Sequence, residues 1–260
     1  MKILIIGDIV GKPARQYLKE FMPALKIELG LDFVIANGEN AAGGSSITPD
    51  TARDIFNAGV NVITTGDHVF KKKESKVVLE TLDVIRPLNY GKLAVGKGYI
   101  IKEVNGTKIA VVNLLGRVFL QPVDCPFKTI ENVLEFIKKE AEIVIVDMHA
   151  EATSEKMAMG YFLAGKVTAV VGTHTHIPTA DERIIEDYTA YVTDLGMTGS
   201  FDSVLGRDKK QIIQRFITNM PLRFNLAQND VRIQGVLIEV DEKSGRSLSI
   251  ERVEYKQEKS

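Results

Sequence analysis

A single cysteine among 260 residues excludes an intramolecular disulfide. Cys125 also has no CxxC partner, so it reads as a bystander, a small hydrophobe. No signal peptide precedes the first apolar run, because Met1-Lys2 leads straight into ILII and Asp8. With no disulfide framework either, the expected compartment is the cytoplasm. No apolar stretch reaches the roughly 20 residues of a membrane span, and no membrane partner is expected. An excess of positive charge is missing too: 33 basic against 34 acidic residues leave a formal charge of −1. That excludes the basic field of a non-specific nucleic-acid binder, and no stable nucleic-acid partner is expected. The short cluster Lys71-Lys72-Lys73 reads as a solvated helix face. Internal repeats, low-complexity tracts and Pro/Ser-rich linkers are absent as well, so residues 1–260 read as one domain. A homo-oligomer is compatible with the sequence, which does not establish one.

Histidine is scarce, with four in the chain, yet all four occupy one kind of place. His68 closes VNVITTGDH, His149 closes EIVIVDMH, and His174 and His176 close VTAVVGTHTH. Two further apolar runs end in polar groups: KILIIGD delivers Asp8, and DFVIANGEN delivers Glu39 and Asn40. In α/β proteins ligands bind at the carboxyl ends of strands. Five strands therefore bring Asp, Glu, Asn and His to one rim, the mixed donor set from which a metal site is assembled.

The periodicity supports that placement. ILII at 3–6, FVIA at 33–36 and VNVIT at 60–64 read as strands. Between them lie helices expected over Pro13 to Leu29, where Pro23 predicts a kink or a break, and over Pro49 to Ala58, started by Thr48-Pro49. A helix from Glu74 to Leu82 follows. GYIIKEV and KIAVVNLL joined by Asn105-Gly106 predict a hairpin. Helices at Thr129–Ala141 and Ser154–Ala164 alternate with strands at 143–147 and 167–171. The remainder is mostly β, namely RIIE, TAYVT, VRIQGVLIEVD and SLSIERVEYK, with a helix near Asp208–Asn219. Parallel and antiparallel strands flanked by helices predict two packed mixed β-sheets with helices outside.

The side chains have assignable chemistry. In His174-x-His176 on an extended segment both imidazoles would share a face and could bind one metal or two neighbouring ones. Glu39 offers two oxygens and the charge to bridge a pair of cations, with Gly38, Gly43 and Gly44 allowing close backbone approach. Asp67 and His68 point in different directions, so one can ligate while the other reaches the substrate. Histidine ordinarily titrates near neutrality, which suits a group that protonates a leaving oxygen. Asp147, two residues before His149, reads as an outer partner of that ligand or as a turn residue.

The ordered series GDIVG, NGEN, TxGxH, DMHAEATSEK, GTHTHIPTAD and TDLGMTG resembles the YmdB-like branch of the calcineurin-type metallophosphoesterases, over residues 3 to about 227. The general superfamily begins with Asp-x-His and bridges its metals with Asp. Here Asp8 is followed by Ile9-Val10, and Glu39 stands at the bridging position, as in this branch. The resemblance implies a four-layer α/β/β/α sandwich and a two-metal phosphoesterase acting on cyclic nucleotides such as 2′,3′-cyclic AMP. It implies that Asp8, Glu39 and His176 hold one metal with Asn40 close by. Glu39, Asp67, His149 and His174 would hold the other, and His68 would be the acid beside them. The branch usually carries Asn where this chain has Asp67. The added charge should hold cations tighter and weaken their Lewis acidity, or favour a harder metal. The donor set suits two transition-metal ions, iron first, with manganese or zinc as alternatives.

The expected reaction is metal-assisted hydrolysis without a covalent enzyme intermediate, since the chain offers no Ser–His–Asp arrangement. Alternatives are a phosphomonoesterase or nucleotidase with the same metals, or a regulatory protein that binds nucleotide or RNA without turnover. Arg117 is a candidate phosphate contact, and residues 193–203 a candidate substrate loop.

Overall fold

The computed structural model describes residues 1–256. In chain order the first half comprises β1 (Lys2–Ile6), β2 (Asp8–Ile9), α1 (Gly11–Leu29), β3 (Phe33–Asn37), α2 (Pro49–Asn57), β4 (Val62–Thr64), α3 (Ser75–Thr81), β5 (Tyr99–Val104) and β6 (Thr107–Leu115). There follow α4 (Pro126–Lys138), β7 (Ile143–His149), α5 (Thr153–Phe162), β8 (Ala169–Thr173), β9 (Arg183–Ile185) and β10 (Thr189–Val192). The chain closes with β11 (Met197–Ser200), α6 (Lys209–Thr218), β12 (Val231–Val240) and β13 (Ser247–Tyr255).

These strands form two mixed sheets. In the first, β1, β3 and β4 run parallel, β2 runs parallel to β11, and β12 lies antiparallel to β1, β11 and β13. The second has the order β5-β6-β7-β8-β10-β9, parallel from β6 to β10 with antiparallel edges. The apolar runs at strand positions are continuous because both faces are covered. Ile3, Ile5, Phe33 and Ile35 face Ile109, Val111, Ile143 and Ile145 in a core between the sheets. The alternate residues Leu4, Ile6, Val34 and Ala36 pack with Leu18, Met22 and Ile55 of α1 and α2. On the far side Val112, Val144 and Val146 pack with Ile130, Leu134 and Met159 of α4 and α5. The result is the four-layer α/β/β/α sandwich. Among the described residues no helix is long and apolar enough to cross a membrane.

Several boundaries differ from the sequence expectation. α1 continues through Pro23, which lies on the exposed face, where the carbonyl that its missing N–H leaves free can be hydrated. α4 begins three residues earlier than expected because Pro126 occupies the first helical turn, where its fixed φ and absent N–H cost nothing. Lys71, Lys72 and Lys73 are exposed as expected, but they precede α3 rather than forming a face of it. At the Asn105-Gly106 turn both residues have positive φ, 53° and 82°, as the tight hairpin requires.

Candidate metal centre

The register sets the site. β7 and β8 pair so that His149 lies beside Thr173, and β2 pairs with β11 so that Asp8 lies beside Met197. At the end of β3, Asn37 Oδ1 accepts the Glu39 N–H at 3.1 Å, which turns the Glu39 carboxylate inward to complete burial. Asp8 and His149 are also fully buried. His68 does not close a strand as expected. It follows β4 by four residues, after the turn Thr65-Gly66-Asp67, and its backbone N–H donates to Glu39 Oε2 at 3.0 Å. Gly66 makes this packing possible, because a Cβ there would stand 2.2 Å from His149 Nε2 and 2.4 Å from Glu39 Oε2. The pair His174 and His176 is not on extended backbone either. Both residues are left-handed, at φ 100° and 63°, so the imidazoles are placed by a strained loop rather than by strand alternation.

Two groups of donors result. Around His149 Nε2 stand His174 Nδ1 at 3.0 Å, Glu39 Oε1 at 3.1 Å and Asp67 Oδ1 at 3.4 Å. One donor atom from each of Glu39, Asp67, His149 and His174 lies within 4.8 Å of all the others. The second group joins Asp8 Oδ1 to Asn40 Nδ2 at 3.3 Å and to His176 Nε2 at 3.6 Å. Asn40 Nδ2 is also 3.4 Å from Glu39 Oε1, so Glu39 adjoins both groups. Asn40 would ligate through Oδ1, which a half-turn of its amide places among these same atoms.

The donor chemistry fits cations. Three carboxylates, Asp8, Glu39 and Asp67, converge with imidazoles and with no lysine or arginine ion pair among the described residues. Asp67 Oδ1 is buried without a hydrogen bond, although His149 Nε2 and His174 Nδ1 stand nearby. Burial alone would depress His149, yet Glu39, Asp67 and Asp8 pull its pKa well above the ordinary value. Burial raises Asp67, but His149, His68 and His174 outweigh it and bring the carboxyl down to about 2. Opposed burial and His176 likewise leave Asp8 below the usual carboxylate range. The imidazoles and carboxylates hold one another charged, and a cation at the point the donors share would take over the positive charge that the imidazoles supply here.

The outer partners fix which nitrogen is free. Thr173 Oγ1 donates to Asp147 Oδ1 at 2.7 Å and therefore accepts from His149 Nδ1, 2.8 Å away. That fixes one ring proton on Nδ1, so a cation displacing the Nε2 proton would meet the lone pair that faces the donors. Thr64 Oγ1 donates to the other oxygen of Asp147, whose pKa burial lifts to about 6. Glu151 Oε2 holds His174 Nε2 at 3.1 Å, which likewise frees Nδ1. Asp194 Oδ2 accepts from the N–H (3.1 Å) and hydroxyl (2.8 Å) of Thr175, the residue between the two loop histidines, and from Lys156 Nζ at 2.6 Å. Lys156 and Asp194 are 1% exposed, and removing one partner of a buried ion pair typically costs about 3–5 kcal/mol. Lys156→Met is accordingly expected to lower the melting temperature by about 6–20 °C. It should also lower metal content in proportion to the freedom the histidine loop gains, with calorimetry and elemental analysis as the readouts.

Some expectations are corrected. Arg117 is exposed, with its Nη2 3.5 Å from Cys125 Sγ, and is not in the site. Residues 193–196 hold the histidine loop instead of lining the substrate cavity, 197–200 are the buried strand β11, and Asp202 pairs with Lys209. Gly38 makes room for the Ile63 side chain rather than for a ligand. A cavity of about 330 Å³ opens over Glu39, Asn40, His68, His174 and His176, and its wall includes Leu205 and Arg207, which sequence reading did not single out.

Residues 4–253 match the YmdB-like protein family. A Bacillus subtilis protein named 2′,3′-cyclic-nucleotide 2′-phosphodiesterase is 43% identical over 97% of this chain and 96% of its own length. A Thermus thermophilus protein described as hypothetical superposes with a TM-score of 0.94 at 37% identity, covering 99% of this chain and 100% of its own. A structure described as a novel phosphatase of Mycoplasma pneumoniae gives 0.92 at 35% identity, covering 98% and 93%.

Proposed function

We propose that this chain, which belongs to the YmdB-like protein family, is a metal-dependent phosphodiesterase acting on small phosphodiesters, cyclic nucleotides such as 2′,3′-cyclic AMP among them. The observation that carries the reading is the buried Glu39 carboxylate standing between two donor groups beneath one open cavity. The substrate class comes from the name of the Bacillus subtilis relative. In this reading Asp8, Glu39, Asn40 and His176 hold one ion, and Glu39, Asp67, His149 and His174 hold the second. Iron is the first metal to test, then manganese and zinc. When bound, such a pair supplies Lewis acidity and a water activated at neutral pH. Both sheets contribute ligands across a shared core, which supports reading the chain as one domain.

The remaining chemistry falls to His68. Its Nδ1 lies 3.3 Å from the Asn40 amide and its Nε2 3.4 Å from Asp67 Oδ2. With Asn40 Oδ1 turned toward the metals, its Nδ2–H faces His68 Nδ1 and leaves the ring proton on Nε2. A partly exposed imidazole holding a proton there, at the edge of the cavity, is placed to donate it to a leaving oxygen.

Purified protein is expected to carry about two first-row transition-metal atoms per chain. The metal-replete form should hydrolyse 2′,3′-cyclic AMP faster than 2′- or 3′-monophosphates. Preference for monoesters would make it a nucleotidase, and tight nucleotide binding without turnover would make it a regulatory protein.

A further inference from the structure

A phosphodiester is an anion, yet three of the donors are carboxylates, Asp8, Glu39 and Asp67, and Glu151 adds another to the cavity wall. Outside the candidate ligands and His68, the cavity wall contains one permanent cation, the guanidinium of Arg207. It is half-buried and has no carboxylate partner among the described residues, whereas most of the chain's other partly buried arginines, such as Arg15 and Arg232, are ion-paired. Burial without such a partner depresses its pKa from the ordinary value.

What Arg207 does bond to is backbone. Nη1 donates to Gly43 O at 3.2 Å and Nη2 to Gly44 O at 2.5 Å. Gly44 has φ 84°, and a Cβ there would stand 2.3–2.6 Å from the guanidinium. The two glycines after Glu39-Asn40 therefore form a cradle for the arginine. Its own backbone is equally fixed: Arg207 and Val204 exchange both hydrogen bonds at 3.0 Å, and Arg207 bridges Leu226. A guanidinium has five donors, and the two carbonyls occupy two of them. Nε–H and one N–H on each Nη remain, held rigid beside the cavity in the planar fork that matches phosphate oxygens.

We propose that Arg207 binds the non-bridging phosphate oxygens of the substrate, the Gly43-Gly44 cradle holding its guanidinium in the binding position before substrate arrives. The proposal rests on the phosphodiesterase reading above. It makes the two glycines and the arginine one device, built from loops that are 163 residues apart in sequence. A pre-anchored fork loses little freedom on binding, so its contribution falls on affinity for the anion.

The test uses metal-loaded protein and Arg207→Gln, whose amide can still donate to the cradle but carries no charge. Metal content should stay at the wild-type level. The dissociation constant of inorganic phosphate, measured by calorimetry, and KM for 2′,3′-cyclic AMP should both rise at least tenfold. Arg207→Lys should fall between Gln and wild type, since it restores the charge without the fork. Because phosphate binding requires no turnover, it still decides the role of Arg207 if the wild type fails to hydrolyse cyclic nucleotides, a result that would count against the function alone. Unchanged phosphate affinity in Arg207→Gln would overturn the proposal, as would a wild type that binds no phosphate. Loss of metal in both variants would reassign Arg207 as a strut for the 43–44 loop.

Discussion

Glu39→Gln is expected to lose most of the bound metal, and with it hydrolysis by on the order of 10³-fold, several kcal/mol of transition-state charge stabilisation. Glutamine keeps the volume and can keep one oxygen toward the His68 N–H, so the packing survives. The lost property is charge at the place where Asp8 and Asp67 are also gathered. Without metal, Glu39 Oε1 lies 3.1 Å from the buried His149 Nε2 and helps to hold that imidazole charged, so the metal-free variant should melt below metal-free wild type. Adding metal should raise the melting temperature of the wild type and do so much less for the variant, because stabilisation by a ligand follows its affinity. Elemental analysis and calorimetry on the two proteins suffice. Unchanged metal content together with an unchanged rate would remove Glu39 from the centre.

Much of the candidate site was legible because strand ends are where a sequence changes character abruptly. Asp8, Glu39, His149 and the 174–176 pair each follow an apolar run, and strand pairing brings their ends together. The sandwich was legible for the same reason, since unbroken runs such as ILII and IVIV demand cover on both faces. What escaped was whatever depends on side chains meeting across loops. Thr173 and Glu151 orient imidazoles, but a threonine at a strand end and a glutamate after His149 carry no periodic signal. Lys156 meets Asp194 because α5 packs beside β8, a contact that helical spacing alone cannot disclose. The His174-x-His176 spacing drew attention to two residues that the structure does bring beside the other donors, but through another geometry: left-handed backbone at both positions, clamped through Thr175, replaces the extended segment that spacing suggested. Asp67 stood out as a departure from the usual Asn only through the family resemblance, and its unpartnered Oδ1 among two imidazoles is compatible with a ligand.

His68→Ala separates chemistry from metal binding. The ring stands outside the four-donor group, its Nδ1 3.5 Å from Glu39 Oε1 and its Nε2 toward Asp67 Oδ2. The variant keeps the backbone N–H that Glu39 accepts, so the carboxylate stays oriented and both metals should be retained. Hydrolysis of 2′,3′-cyclic AMP should then fall by roughly 10² to 10⁴, the contribution of a positioned general acid. The loss should shrink for a p-nitrophenyl ester, whose leaving group needs little protonation. A structural defect would slow both substrates alike, so the ratio of the two losses reports proton donation rather than folding. If the variant loses metal with its activity, His68 is a ligand. If both substrates are hydrolysed at the wild-type rate, the proton that the leaving oxygen takes up comes from elsewhere.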